Sequence, residues 1–113
     1  MNITAREQGA VTILDVKGKL TIGKGDVALR EAIQQAVEAG KHNILIDLKN
    51  TKRLDSSGLA ELVSGYQTVK SRGGSMKLMN LPSMVKNPLE ITQLITVFDI
   101  FEDEAEAVAS FGD

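Results

Sequence analysis

Residues 54–59 read Leu-Asp-Ser-Ser-Gly-Leu, and they stand where a polar turn gives way to an apolar stripe of helical spacing. The first N–H groups of a helix have no partner within it, and Asp and Ser side chains are preferred there because they accept hydrogen bonds from those groups. The stripe that follows is formed by Leu59, Leu62, Val63, Tyr66 and Val69. The segment therefore predicts a helix that begins at the serine pair and ends at Gly73.

Upstream of this helix, the sequence predicts a strand hairpin, a first helix and a buried strand. The hairpin covers residues 3–8 and 10–17, where β-branched residues recur near period two. The first helix covers 27–39, with Asp26 as its N-cap because this residue type favours that position. The run 43–48 is rich in Ile and Leu, which is typical of a central strand that is covered on both faces.

Downstream, short apolar runs alternate with helical patterns. Residues 49–53 indicate a turn before the serine pair, and 76–80 and 97–101 indicate short strands. The segments 83–92 and 103–111 have the pattern of helices. Because strands alternate with helices, parallel pairings through crossovers are expected, and the opening hairpin adds an antiparallel pair.

These elements together predict an α/β fold. We expect a mixed sheet of four to five strands that packs against about four helices. A chain of 113 residues suits one compact domain, so we predict a single domain over residues 1–113.

The composition excludes several classes of function. A net charge of −2 and a pI near 5.4 argue against a nucleic-acid-binding protein, which usually has a basic surface, and no run of Lys or Arg stands out. The absence of cysteine excludes disulfides and thiolate metal sites. No apolar run approaches the ~20 residues that span a bilayer. We therefore expect a cytoplasmic protein with no metal, no cofactor, no nucleic acid and no membrane as partner.

Ser56 has two interpretations. In the first, it belongs to a helix start and does nothing more. In the second, it accepts a phosphoryl group at a helix N-terminus, where free N–H groups and the helix dipole favour an anion. Phosphorylation adds roughly −1.5 to −2 charges and three acceptor oxygens. In that case the helix would survive while the surface presented to a partner changed.

Several segments resemble the STAS domain family, and most closely the stand-alone bacterial anti-sigma factor antagonists. Residues 54–59, followed by a helix and then by 72–78 (Arg-Gly-Gly-Ser-Met-Lys-Leu), carry most of the resemblance. It extends to the strand at 43–48 and to 89–94 and 97–101 near the C-terminus. The resemblance covers nearly the whole chain from about residue 10 and implies the STAS fold.

The resemblance implies a phosphorylation cycle. The family places the phosphoacceptor on the serine directly after the aspartate, which is Ser56 here. Asp55, Ser57 and Gly58 would lie at the partner-binding surface, with Ser57 as a helix cap or a second phosphorylation site. The unphosphorylated protein would bind an anti-sigma factor that is also a serine-protein kinase, and so release a sigma factor or an equivalent output. A serine phosphatase would restore Ser56.

One segment departs from the family's pattern. Antagonists of this type commonly carry Gly-Glu-Leu/Ile-Asp after the second strand, whereas this chain has Gly18-Lys19-Leu20-Thr21. The acidic pair is replaced by a lysine and a threonine. If this loop touches the kinase, the partner should differ in charge from those of the better-known antagonists.

Two alternatives stay open beside the regulatory module. The chain is also compatible with a STAS scaffold subunit that is not phosphorylated and belongs to a stress-signalling or lipid-transport complex. An enzyme would need a nucleophile with a base or a metal cluster, and neither pattern is present in the sequence, so we expect a binding protein rather than an enzyme. No long heptad pattern drives self-association, so we expect a monomer in isolation.

Overall fold

The computed structural model describes residues 1–112 and shows a mixed sheet with helices on both faces. The strands are β1 (Asn2–Gln8), β2 (Val11–Leu20), β3 (Asn43–Asp47), β4 (Thr51–Leu54), β5 (Ser75–Met79) and β6 (Ile100–Phe101). The helices are α1 (Gly25–Glu38), α2 (Ser56–Ser71), α3 (Ser83–Ile91) and α4 (Glu104–Ala109), with a 3₁₀ turn at Leu94–Thr96. The α/β class is confirmed, although the described residues form six strands where four to five were expected.

Strand β2 organises the sheet because it is long enough to pair with three others. It pairs antiparallel with β1 to form the predicted hairpin. Its residues 12–15 pair parallel with β3, and its residues 18–20 pair parallel with β4. Beyond β3 the sheet continues through β5 to β6. The C-terminal end of β2 therefore lies where β4 ends and α2 begins.

The turn predicted for residues 49–53 is confined to Lys49 and Asn50, because the rest of this segment belongs to β4. Thr51 is buried, and its hydroxyl donates to the carbonyl oxygen of Val16 at 3.3 Å. Lys52 and Arg53 are exposed, and among the described residues β4 pairs only with β2. A short, polar edge strand has no apolar alternation by which the sequence would reveal it.

The start of α1 also differs from the prediction. The helix begins at Gly25, where a Cβ would overlap the carbonyl oxygen of Lys19 at the end of β2. Asp26 is buried in the first turn and is not the N-cap. Its Oδ1 accepts a hydrogen bond from the N–H of Gly23 at 2.9 Å. The carboxylate therefore binds the preceding loop instead of capping the helix.

Alternate residues of the strands face two hydrophobic cores. The larger core lies under α1, α2 and α3, and the smaller one under α4 around Val11, Ile13, Leu45, Met79 and Ala107. The apolar stripe of α2 faces the larger core as predicted. Leu62 and Val69 are fully buried there, while the other members of the stripe, Leu59, Val63 and Tyr66, are partly buried against it.

We expect Leu62→Ala to lower the free energy of unfolding by about 2–5 kcal/mol, because the truncation leaves a cavity in the larger core. Urea denaturation followed by circular dichroism measures this. The matched control is Ile91→Ala, since Ile91 is 82% exposed and its truncation should change stability by at most about 0.5 kcal/mol. Equal losses in the two variants would contradict the core described above.

Candidate functional site

Ser56 is the first residue of α2, and its side chain is exposed. Asp55 precedes it as the N-cap, with extended backbone angles (φ −114°, ψ −175°). The helix follows directly on β4, whose last residue is Leu54. The prediction of an exposed serine at the start of the second helix is confirmed.

The carboxylate of Asp55 joins the first turn of α2 to the loop after β2. Its Oδ1 accepts a hydrogen bond from the N–H of Gly58 at 3.0 Å, and its Oδ2 accepts one from the N–H of Ile22 at 2.9 Å. The hydrogen bond from Gly58, followed by that from Ile22, lowers the pKa of the Asp55 carboxyl below its ordinary value. Asp55 is therefore ionised at neutral pH and is fully engaged in holding the two segments together.

Gly58 lies behind the surface of the site. It is buried, and a Cβ there would overlap the carbonyl oxygen of Leu20 in β2. The N–H of Asp55 also donates to that oxygen, at 3.4 Å. The first turn of α2 therefore packs directly against the end of β2, which requires glycine at position 58. Contact of Gly58 with a partner stays a prediction, whereas its packing function is evident.

Ser57 is half-buried in the first turn of α2. The interpretation of Ser57 as the helix cap is wrong, because the carboxylate of Asp55 binds the N–H of Gly58 in its place. The interpretation of Ser57 as a second phosphorylation site stays a prediction.

Ile22 is a surface residue of this site that the sequence analysis missed. Its N–H is bound by Asp55, and 73% of its surface is exposed. Single exposed apolar side chains are common, but the hydrogen bond to Asp55 holds the backbone of Ile22 next to the start of α2. Ile22 lies between Thr21 and Gly23 in a glycine-rich loop. Because it is an isolated apolar residue, no periodicity in the sequence identifies it as part of the site.

The start of α2 favours an added anion less strongly than a helix with a free N-terminus would. The dipole of this 16-residue helix favours negative charge at its first turn. The N–H of Gly58, however, already serves Asp55 and is not available to a phosphoryl group on Ser56. The Asp55 carboxylate would also lie beside the added charge. Phosphorylation of Ser56 would therefore change the charge of the surface more than it would stabilise the start of α2.

Among residues 1–112, no three His, Cys, Asp or Glu side chains come together in a way that would hold a metal ion. Over the same residues, no helix combines the length and the apolar character needed to cross a membrane. The one histidine of the sequence, His42, is exposed.

Residues 2–107 match the family model of the STAS domain. The chain belongs to the STAS domain family. The anti-sigma-B factor antagonist of Bacillus subtilis is 30% identical to it over 100 residues, which are 88% of this chain and 90% of that protein. The anti-sigma F factor antagonist of Paenibacillus polymyxa is 25% identical over 109 residues, which are 96% of this chain and 92% of that protein. These relatives place this STAS protein among the anti-sigma factor antagonists.

Solved structures show the same fold. An anti-sigma factor antagonist from Mycobacterium paratuberculosis superposes with a TM-score of 0.87 at 21% identity, over 99% of this chain and 94% of that one. The Bacillus cell fate determinant SpoIIAA in its phosphorylated form superposes with a TM-score of 0.74 at 16% identity, over 96% of this chain and 98% of that one. The STAS fold expected from the sequence is thereby confirmed.

We expect Gly58→Ala to lower the free energy of unfolding of this STAS protein by about 3 kcal/mol, because the new Cβ meets a backbone oxygen that has no room to move. Guanidinium denaturation measures the loss. Ser57→Ala is the neighbouring control, and it should stay within about 0.5 kcal/mol of the wild type. Similar values for the two variants would show that the approach of α2 to β2 does not require a glycine.

Asp55→Ala should lower the thermal midpoint at pH 7, because it removes both hydrogen bonds that join α2 to the loop. The folded-state pKa of Asp55 lies below its ordinary value of 3.8, so its stabilising effect is complete above that value and is lost as the pH falls through the lowered pKa. The difference in midpoint between wild type and variant should therefore shrink below pH 3.8. A difference that stays constant from neutral to strongly acidic pH would contradict this assignment.

Proposed function

We propose that this STAS protein is a regulatory binding module controlled by phosphorylation of Ser56. Unphosphorylated, it binds an anti-sigma factor that is also a serine-protein kinase, and so releases a sigma factor or an equivalent output. The kinase phosphorylates Ser56 and thereby ends the complex, and a serine phosphatase restores the free hydroxyl. The protein is cytoplasmic, and it is a monomer in the absence of its partner.

The observation that carries this proposal is the contrast between Ser56 and its neighbours. Asp55 joins the first turn of α2 to the loop after β2 and Gly58 packs against β2, whereas the Ser56 side chain is exposed at the helix start. A kinase can reach the Ser56 hydroxyl without disturbing the contacts that keep the fold. The relatives named as antagonists of anti-sigma factors, and a STAS structure solved in its phosphorylated form, support the same function.

The charge added at Ser56 is sufficient for a switch. In an interface, a phosphoryl group must be desolvated or must face groups arranged for a neutral hydroxyl, and an unpaired charge there costs several kcal/mol. A loss of ~3 kcal/mol lowers affinity more than a hundredfold. The exposed side chain of Ile22 lies on the same surface and would be covered by the partner.

We infer a binding function rather than catalysis, because the one carboxylate at the site is already engaged. Both oxygens of Asp55 accept backbone hydrogen bonds, so Asp55 is not placed as a base for either serine. The alternative of a scaffold subunit without phosphorylation has no observation in its favour beyond the fold, which is shared by the whole family.

We predict that Ser56→Ala keeps the fold and the binding of the cognate kinase but accepts no phosphate, whereas Ser56→Asp binds the kinase more than about a hundredfold more weakly. Each candidate kinase of the anti-sigma type from the source organism is purified and incubated with the protein and ATP. Peptide mass spectrometry locates the phosphate, and calorimetry measures the affinity.

Ser57→Ala is the control for this experiment and should be phosphorylated like the wild type. Phosphate on Ser57 with none on Ser56 would overturn the assignment of the acceptor. A wild-type protein that no candidate kinase binds or phosphorylates would favour the scaffold subunit.

A further inference from the structure

The sheet face opposite α1 and α2 is only partly covered. Helix α4 has six residues and packs over the smaller core. The C-terminal half of β2, together with β4, stays open on this face. The side chains that project there include Lys17, Lys19 and Arg53, and all three are exposed.

The pairing of β2 with β4 brings these basic residues together. Lys19 and Arg53 are partners in the parallel ladder of β2 and β4, so their side chains lie close together. Lys17 precedes Lys19 by two residues on β2, on the other side of the register shift at Gly18, and is also exposed. Lys49 lines the same shallow cavity of about 300 Å³ as Lys17. We call Lys17, Lys19, Lys49 and Arg53 the basic patch.

Among residues 1–112, none of the four cations of the basic patch forms a salt bridge. The salt bridges among residues 1–112 involve four other cations, namely Arg6, Arg30, Lys41 and Lys77. Three carboxylates lie near Lys17 and Lys49, since Asp15 and Asp47 line the cavity and the charge of Glu104 interacts with that of Lys49. Lys19 and Arg53 do not line this cavity, and both are exposed. Asp15 accepts a hydrogen bond from Arg6 at 2.8 Å, and the buried Asp47 accepts one from the side chain of Asn80 at 3.2 Å.

The stability of the fold does not explain the patch. Like charges directly opposite each other on neighbouring strands are destabilising, and Lys19 and Arg53 are such a pair. The patch also contrasts with the rest of the molecule. It holds four of the 13 Lys and Arg residues, so the remaining nine stand against 15 Asp and Glu residues. Apart from these four cations, the chain therefore has an excess of acidic residues.

The basic patch borders the surface around Ser56. Arg53 precedes Ser56 by three residues, so their Cα atoms lie within about 11 Å. Lys19 likewise precedes Ile22 by three residues. The distance of at most about 11 Å between the Cα atoms of Arg53 and Ser56 is comparable to the Debye length of about 8 Å at physiological ionic strength. A phosphoryl group on Ser56 would therefore lower the positive potential of the nearest part of the patch.

We propose that the basic patch docks an acidic surface of the same protein partner that meets Ser56, an inference that rests on the proposed function. Complementary charge speeds the encounter of two proteins and rejects partners of the wrong sign. The partner would then carry a group of carboxylates beside the site that phosphorylates Ser56. Phosphorylation would weaken the complex in a second way, because the new negative charge repels that acidic surface.

A protein fits the patch better than a nucleic acid or a membrane does. Proteins that bind single-stranded nucleic acid stack bases on aromatic side chains, whereas all four aromatic residues lie away from the patch, at Tyr66, Phe98, Phe101 and Phe111. A long anionic polymer or an anionic bilayer would also face the acidic remainder of the chain. The apolar Ile22 beside the patch suits a protein interface with a hydrophobic centre and a charged rim.

The test compares two charge-reversal variants of the full chain, each bound to the kinase that phosphorylates Ser56 in the wild type. The patch variant is K19E/R53E, and the control R72E/K86E makes the same change in charge at exposed residues outside the patch. Stopped-flow kinetics should show an association rate at least about tenfold lower for the patch variant, with little change for the control. The wild-type rate should also fall as salt is added.

A second variant, K19Q/R53Q, separates binding from folding. It removes the repulsion between the two cations, so its thermal midpoint should equal or exceed that of the wild type while its association is still slower. Association at the wild-type rate in both patch variants would overturn the inference and leave the proposed function intact. A wild type that no kinase binds or phosphorylates would overturn both.

Two further binding measurements use duplex DNA and phosphatidylglycerol vesicles as probes. We expect neither to bind the wild type at physiological salt. Binding of either probe that is lost in K19E/R53E, with kinase association unchanged, would assign the patch to that macromolecule and overturn the docking of an acidic protein.

Discussion

The packing of α2 against the end of β2 is the constraint on which the site depends. The carbonyl oxygen of Leu20 lies so close to Gly58 that no Cβ fits between them, and the same strand end meets Gly25 at the start of α1. Two helices therefore begin at one point of the sheet. Asp55 completes this junction by binding the N–H groups of Gly58 and Ile22. Ser56 lies at this rigid junction and takes no part in its packing.

In this arrangement the residues that hold the first turn of α2 in place differ from the proposed phosphoacceptor. Asp55 and Gly58 join this turn to the loop after β2 and to the end of β2, while Ser56 and Ile22 are exposed and the basic patch lies near them. A charge added at Ser56 can change the surface potential strongly while it disturbs few internal contacts. A serine switch on a STAS domain needs this combination of a fixed scaffold and a free hydroxyl.

The sequence predicted the elements whose side chains follow a clear period. The hairpin and α2 have apolar residues at the spacing of their structure, β3 is a continuous apolar run, and the exposed serine at the start of α2 followed from its residue type. Strand β4 was missed because Lys52 and Arg53 are polar and its pairing partner lies about 30 residues upstream. The basic patch was missed for the same reason, since a ladder between distant segments brings Lys19 and Arg53 together. Asp26 was wrongly predicted as the N-cap of α1, because its hydrogen bond with the N–H of Gly23 in the preceding loop depends on the tertiary fold.

The central claim is that a phosphoryl group on Ser56 changes the surface and leaves the fold intact. The most direct measurement compares backbone amide NMR spectra of the wild type with those of a protein that carries phosphoserine at position 56, installed during translation. Chemical shifts should change at Ile22, Asp55, Gly58 and their neighbours, and stay constant in β3 and β5. Changes that extend through β3 and β5, or a loss of dispersed signals, would show that phosphorylation remodels the fold and would contradict the claim.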